Sequence, residues 1–193
     1  AVAAAGATYG FETIGIIRGE ELVDKIAENS TLTFAQNRGM KFEFWNRLEY
    51  RNKEDEKLIA ILREKYDDFY LIPEGGTNAL AVKGCEEILT DEDAKFDYIC
   101  CAVGTGGTIS GLINSSFSHQ QVLGFPAVRS ENLGKIIEDV VTNKRWNLID
   151  EYHFGGYAKI NSELVDFIND FKDQTTVQLD PVYTAKMVFG VVD

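Results

Sequence analysis

The sequence predicts an α/β protein in which parallel sheets are covered by helices. Three observations point there. Apolar, β-branched runs of strand length alternate along the chain with amphipathic segments of helical period. One run, Asp97 to Val103, breaks into a Gly/Thr loop, Gly104-Thr105-Gly106-Gly107-Thr108, that leads into Ile109-Ser110-Gly111-Leu112-Ile113: strand, loop and helix in succession. No internal repeat or low-complexity tract interrupts the alternation, and no apolar run is long enough to cross a bilayer.

Taken in order, Ala1 to Tyr9 is small and apolar, suited to a closely packed helix that Gly10 ends. Thr13 to Ile17 reads as a buried strand. Glu20 to Glu28 is a short helix with Leu22, Val23 and Ile26 on one side, and a second helix runs from a cap at Asn29 or Ser30 to Asn37, before Gly39. Lys41-Phe42-Glu43-Phe44-Trp45 alternates charged and aromatic residues, a strand with one wet face. Asn52 is placed as the cap of the clearest helix, with Glu54 and Asp55 in its first turn and Leu58, Ile61 and Leu62 at helical spacing. Phe69 to Ile72 reads as a strand ended by Pro73, and a second glycine turn, Glu74-Gly75-Gly76-Thr77-Asn78, opens a helix from Ala79 to Leu89. Past the central motif, Gln121 to Phe125 is a strand ended by Pro126, and Leu133, Ile136, Ile137, Val140 and Val141 define an amphipathic helix. Leu148 to Tyr152 reads as one more strand, followed by Gly155-Gly156-Tyr157 and then a helix after Asn161 or Ser162, marked by Leu164, Phe167, Ile168 and Phe171.

Composition narrows the function. With 193 residues the chain can form one large domain or two small ones. A formal charge of -12 without any basic stripe argues against nucleic acid as a partner, and no membrane partner is expected. Cys85, Cys100 and Cys101 are an odd set that reads as reduced core thiols of a cytoplasmic protein. The only histidines, His119 and His153, lie far apart without partners at ligand spacing, so no metal site is expected. The chain opens without an initiator Met and closes on the apolar run Met187 to Val192, which reads as a piece of a longer protein.

The Gly104–Thr108 loop carries the chemistry. A Gly-rich loop entering a helix brings bare N–H groups and the helix dipole to bear on an anion, and Thr105 and Thr108 add hydroxyl donors. A nucleotide-triphosphate loop needs a lysine after its last glycine, where this chain has Thr108-Ile109. A dinucleotide loop needs glycine at the position of Ile109 and an acidic residue about twenty positions on. Both are missing. A monophosphate remains, and for the loop alone a tight turn without ligand stands beside it.

Three motifs together resemble one family. Ile72-Pro73-Glu74-Gly75-Gly76-Thr77-Asn78, Val103-Gly104-Thr105-Gly106-Gly107-Thr108 and Asp180-Pro181-Val182-Tyr183-Thr184-Ala185-Lys186 occur in this order in the pyridoxal-phosphate enzymes of the 1-aminocyclopropane-1-carboxylate deaminase and D-cysteine desulfhydrase family. The resemblance implies the tryptophan-synthase-β-like fold, fold type II, with two three-layer α/β/α domains of mostly parallel sheets: a smaller one over 1–72 and a larger, cofactor-binding one over 73–193. It implies that Gly104, Thr105, Gly106, Gly107 and Thr108 bind the phosphate of pyridoxal 5'-phosphate, that Thr184 meets the pyridine nitrogen, and that Tyr183 and Tyr157 stand near the reacting group.

The expected activity is that of a deaminase or lyase acting on a small amino acid, releasing ammonia and a 2-oxo acid, in a cytoplasmic homodimer. The deaminases of the family carry Glu where this chain has Thr184, which tilts the expectation toward β-elimination, as in the desulfhydrases. The family has Gly where this chain has Ala185. Its Schiff-base lysine and Ser-Asn-His segment precede the helix that begins here at Ala1, and no lysine of this sequence matches that motif. The alternatives are a non-catalytic fragment that binds a phosphorylated metabolite, and a serine or threonine dehydratase of the same fold. On residue type alone, Tyr157 and Tyr183 read as half-buried packing residues and Lys186 as a surface or cap lysine.

Overall fold

Strand-forming runs pair in a computed structural model, which describes Ala1–Asp193, as two parallel sheets. Each sheet belongs to its own compact unit, Ala1–Tyr70 and Leu71–Asp193.

In the first unit, helix α1 (Val2–Tyr9) ends at Gly10, whose φ of 77° is open to glycine and strained for other residues. Strand β1 (Ile14–Arg18) pairs in parallel with β2 (Lys41–Trp45), Ile14 opposite Lys41 and Arg18 opposite Trp45. The crossover holds a kinked 3-10 segment, Glu20–Glu28, and α2 (Ser30–Gln36). Asn29 caps α2 by accepting from the amides of Thr31 and Leu32. Helix α3 (Arg47–Arg51) was not expected from sequence. It is nucleated by a reciprocal cap in which Asn46 accepts from the Glu49 amide and Glu49 accepts from the Asn46 amide. Asn52 therefore closes α3 rather than opening the next helix, and Asp55 caps α4 (Glu56–Tyr66) instead. Helix α4 is tied to β2 through Glu43, which accepts from Lys65 and from the Tyr66 hydroxyl.

The expected strand over Phe69–Ile72 does not form. Tyr70, Leu71 and Ile72 are exposed, and no neighbouring strand supplies the hydrogen bonds a ladder needs.

In the second unit, β3 (Tyr98–Val103), β4 (Gln121–Pro126) and β5 (Trp146–Leu148) form a parallel sheet in the order β3-β4-β5. Helix α5 (Ala79–Cys85) is shorter than expected; α6 (Gly107–Ser115) follows the Gly/Thr loop. Close packing of these two helices depends on Gly111, where a Cβ would run into Cys85 and into the Val82 carbonyl oxygen, 2.7 Å away. Helix α7 (Leu133–Glu138) packs Leu133 and Ile137 on the core formed by Cys101, Val103, Ile109, Leu112, Ile113 and Val122. The final strand lies at Trp146–Leu148, ahead of the expected Leu148–Tyr152, because its pairing with β4 ends where Ile149 donates to the Gly124 carbonyl. Tyr152 instead lodges its ring between Phe125 and Phe189, with centroids 6.2 and 6.1 Å away.

A second core joins α8 (Ser162–Thr175), capped by Asn161, to α9 (Thr184–Val192) through Leu164, Ile168, Leu179 and Ala185. Of the thiols, Cys101 is buried and Cys100, on the opposite face, is less so; all three cysteines are free. Burial, with Cys85 and Cys100 nearby, pushes the Cys101 thiol up to about 11.

Candidate functional site

Val103 is the last residue of β3, and the chain turns there through Gly104, Thr105 and Gly106 into α6. Gly106 caps the helix with φ 92°, a conformation that L side chains rarely adopt. The amides of Gly107, Thr108 and Ile109, in the first turn, have no carbonyl one turn back to bond and point out of the helix end. They face a cleft of about 290 Å³ at the carboxyl end of the sheet, lined by the 102–109 stretch together with the 75–77 turn, Ala81, Cys85 and Tyr183. No charged side chain lines it. It offers neutral donors under a positive helix end, as expected for a monophosphate cradle.

Glu74-Gly75-Gly76-Thr77 reads as a plain turn in isolation; in three dimensions it interlocks with the cradle. The Thr77 and Thr105 hydroxyls hydrogen bond at 2.5 Å. A Cβ at Gly75 would overlap the Thr105 side chain, and one at Gly107 would come within 2.8 Å of Thr77 Oγ1. Each turn thus has glycine where the other presents threonine. Asn78 then caps α5 by accepting from the Ala81 amide.

The third motif closes one side. The Tyr183 ring lies against Gly104, with its Cε1 3.4 Å from where a Cβ would stand. Tyr157 meets Tyr183 edge to face, ring centroids 6.0 Å apart, while remaining 60% exposed. Burial, and then the Tyr157 hydroxyl, hold the Tyr183 phenol above its ordinary pKa. The structure therefore brings Gly104 to Thr108 and Tyr183 into one cleft, while Tyr157 touches the Tyr183 ring without lining the cleft. Thr184 does not line the cleft. Its hydroxyl donates to Asp180 Oδ2 at 2.7 Å and accepts from the Asp180 amide at 3.0 Å. Ala185, where the resembling family has glycine, sits fully buried inside α9 without a left-handed φ, so the departure is absorbed by ordinary helix.

Two residues that hold the site together were given no place in it by the sequence, although both stand in the third motif. Asp180 accepts from the amides of Val182, Tyr183 and Thr184, each at 2.9 Å, and so shapes the turn that presents Tyr183. Burial alone would raise its carboxyl, but these amides and the Thr184 hydroxyl outweigh it and hold the pKa below the ordinary value. The aspartate two positions ahead of Val182 was the available signal. Lys186 is the second. It is not a surface or cap lysine but 2% exposed, with its ammonium on the backbone carbonyls of His153 and Gly156 at 2.8 Å and of Ala127 at 3.4 Å. Burial holds its pKa below the ordinary value.

Known proteins resemble this arrangement along the whole chain. A curated relative named a putative 1-aminocyclopropane-1-carboxylate deaminase, from Pyrococcus horikoshii, is 30% identical over an alignment covering 95% of this chain and 61% of that protein. The mitochondrial protein of Arabidopsis thaliana named bifunctional D-cysteine desulfhydrase/1-aminocyclopropane-1-carboxylate deaminase is 30% identical over 75% of this chain and 42% of its own length. A crystal structure of an ACC deaminase homologue superposes with a TM-score of 0.78 at 27% identity, covering 98% of this chain and 62% of that one. The chain is homologous to proteins named 1-aminocyclopropane-1-carboxylate deaminase and D-cysteine desulfhydrase. It has the α/β fold with parallel sheets of that solved homologue, fold type II, and spans about three fifths or less of the length of these curated relatives. No protein-family profile matches the chain. The cleft at the end of β3 is where residues of all three motifs converge.

Proposed function

We propose that the whole protein is a pyridoxal 5'-phosphate-dependent deaminase or lyase acting on a small amino acid, with ammonia and a 2-oxo acid as products, in a cytoplasmic homodimer. In this reading 1–72 is the smaller domain and 73–193 the larger, cofactor-binding one. The observation that carries it is the cradle itself: two interlocked glycine turns leave unbonded amides at a helix end in a cleft without any cation. A monophosphate ester fits that donor set; a triphosphate, with its larger charge, does not.

Gly104 to Thr108 would hold the phosphate, with Tyr183 beside the ring. When bound, the cofactor supplies an electron sink for charge developing at the substrate Cα. The protein's own groups direct that chemistry. Tyr183 would present a phenol hydroxyl on the reacting side; burial and the Tyr157 hydroxyl, which hold its pKa above the ordinary value, disfavour its phenolate and so its use as a base. Tyr157, more exposed, is the group open to the substrate side. Thr184, expected at the pyridine nitrogen, lies outside the cleft lining with its proton committed to Asp180, so it would reach that nitrogen only through its one remaining lone pair, as a neutral hydroxyl. A neutral partner there weakens the electron sink compared with a carboxylate. This favours β-elimination over opening of a cyclopropane ring.

The test uses the full-length protein loaded with pyridoxal 5'-phosphate. Borohydride reduction followed by intact mass should give one covalently fixed cofactor, and D-cysteine should yield a 2-oxo acid faster than the cyclopropane amino acid. Turnover of serine or threonine with neither of these two consumed would replace the proposal with a dehydratase. Binding without any turnover would reduce it to a phosphometabolite-binding protein.

A further inference from the structure

We propose that Lys186 is a positioning residue that clamps the 153–158 turn and thereby holds Tyr157 against Tyr183. The observations come from separate parts of the unit. A buried ammonium normally finds a carboxylate, because an unpaired charge away from water is costly. Lys186, 2% exposed, has none, and its donors go to the carbonyls of Ala127, His153 and Gly156. These oxygens belong to two distant stretches. Ala127 follows β4 and donates its amide to Val103, the residue before the cradle. His153 and Gly156 bracket the turn that ends in Tyr157.

That turn cannot be held by its own preferences. Phe154 (φ 53°), Gly155 (88°), Gly156 (124°) and Ala158 (55°) all lie at positive φ, which is unfavourable for the two residues that carry a Cβ. It is anchored at one end by Phe154, whose ring stands edge-on to Phe189 with centroids 5.1 Å apart. Internally it has only the Gly156 amide to the His153 carbonyl, the Lys159 amide to the Gly156 carbonyl, and the Gly155 amide to His153 Nδ1. Lys186 binds both carbonyls from below. Because it lies three residues after Tyr183 on the same stretch of chain, one side chain fixes the distance between the Tyr183 segment and the Tyr157 segment. The part Tyr157 plays in a reaction rests on the proposed function; the clamp does not.

The experiment therefore reads the tyrosine pair without cofactor. The protein is labelled with 3-fluorotyrosine, and the fluorine signals of Tyr157 and Tyr183 are assigned by their loss in Y157A and Y183F. In Y157A the Tyr183 signal moves to the position it takes without a neighbouring ring. Folded K186M should move the Tyr183 signal at least halfway to that position, the double variant K186M/Y157A should move it no further than Y157A alone, and K186R, which keeps a cation with several donors, should return it toward wild type. A lysine that serves only overall stability would lower the melting temperature and leave the signal in place, and that result overturns the proposal. Should K186M not fold, the unaltered protein decides through its Lys186 Hζ protons. Slow exchange with water and proximity to the Tyr157 turn support the clamp; exchange at the rate of surface lysines overturns it. Failure of the protein to bind pyridoxal phosphate would bear on the proposed function and leave this measurement untouched.

Discussion

Gly106→Val is the sharpest probe of the cradle. The native residue has φ 92°, and a Cβ built there stands 3.2 Å from Ile137 Cγ1 and 3.5 Å from Leu133 Cδ1. The second distance is ordinary packing and the first is met by a small shift, so sterics against α7 are the lesser term. Backbone strain dominates: holding a non-glycine residue in a sparsely populated region costs about 1–3 kcal/mol, more toward the upper end for a β-branched side chain. In the free protein the loop escapes this by swinging to negative φ, which turns its amides out of the cleft. The strain is then charged to binding, and at about 1.4 kcal/mol per tenfold the affinity for pyridoxal 5'-phosphate should fall about 5- to 150-fold. Absorbance titration of the full-length variant with pyridoxal 5'-phosphate and, separately, with unphosphorylated pyridoxal gives the answer. Loss confined to the phosphorylated compound supports the cradle. Equal affinity for the phosphorylated compound in wild type and a folded variant refutes it.

Two further predictions concern the frame around the site. Asp180→Ala removes the acceptor for three amides and should cost about 1 kcal/mol of stability at pH 7, as for a lost helix cap, whereas Asp180→Asn should retain most of it; urea denaturation of the three proteins measures both. Since the Asp180 pKa is lowered in the folded state, the contribution of its charge is fully present above the ordinary carboxylate value of 3.8 and is lost as pH falls through the lower folded value, so the wild-type advantage over Asp180→Ala should persist to about pH 4 and in stronger acid shrink toward that of Asp180→Asn. Ile113→Ala empties a fully buried site in the core beneath the cradle and should destabilise the protein by about 2–5 kcal/mol with an unchanged denaturant slope; a loss under 1 kcal/mol would mean that this core collapses around the gap.

What the sequence disclosed is what its local chemistry dictates. Gly10, Asn29 and Asn161 end or begin helices in the structure as their residue types require. The cradle was legible for the same reason, because a strand, a glycine loop and a helix start are neighbours in the chain. Phe69–Ile72 has strand composition but no strand beside it, and composition cannot supply one. Asn52 lost its expected place to the Asn46–Glu49 cap a few residues earlier, a competition between two plausible signals that only the folded chain settles. Lys186 is the clearest case of information stored at a distance: its burial depends on carbonyls 30, 33 and 59 residues away, none with a side chain that announces it.

The interlock of the two glycine turns has a consequence for how such a site can change through descent. Position 75 is confined to glycine by Thr105, and position 107 by Thr77, so the four residues form two locks, each with its key on the other turn. A side chain can enter at 75 only after 105 has shrunk, and at 107 only after 77 has. Single steps in the opposite order meet overlap. Change at this site therefore proceeds in ordered pairs that each reach across 30 positions of sequence, and a loop transplanted from a relative without its opposite turn would arrive without a matching surface.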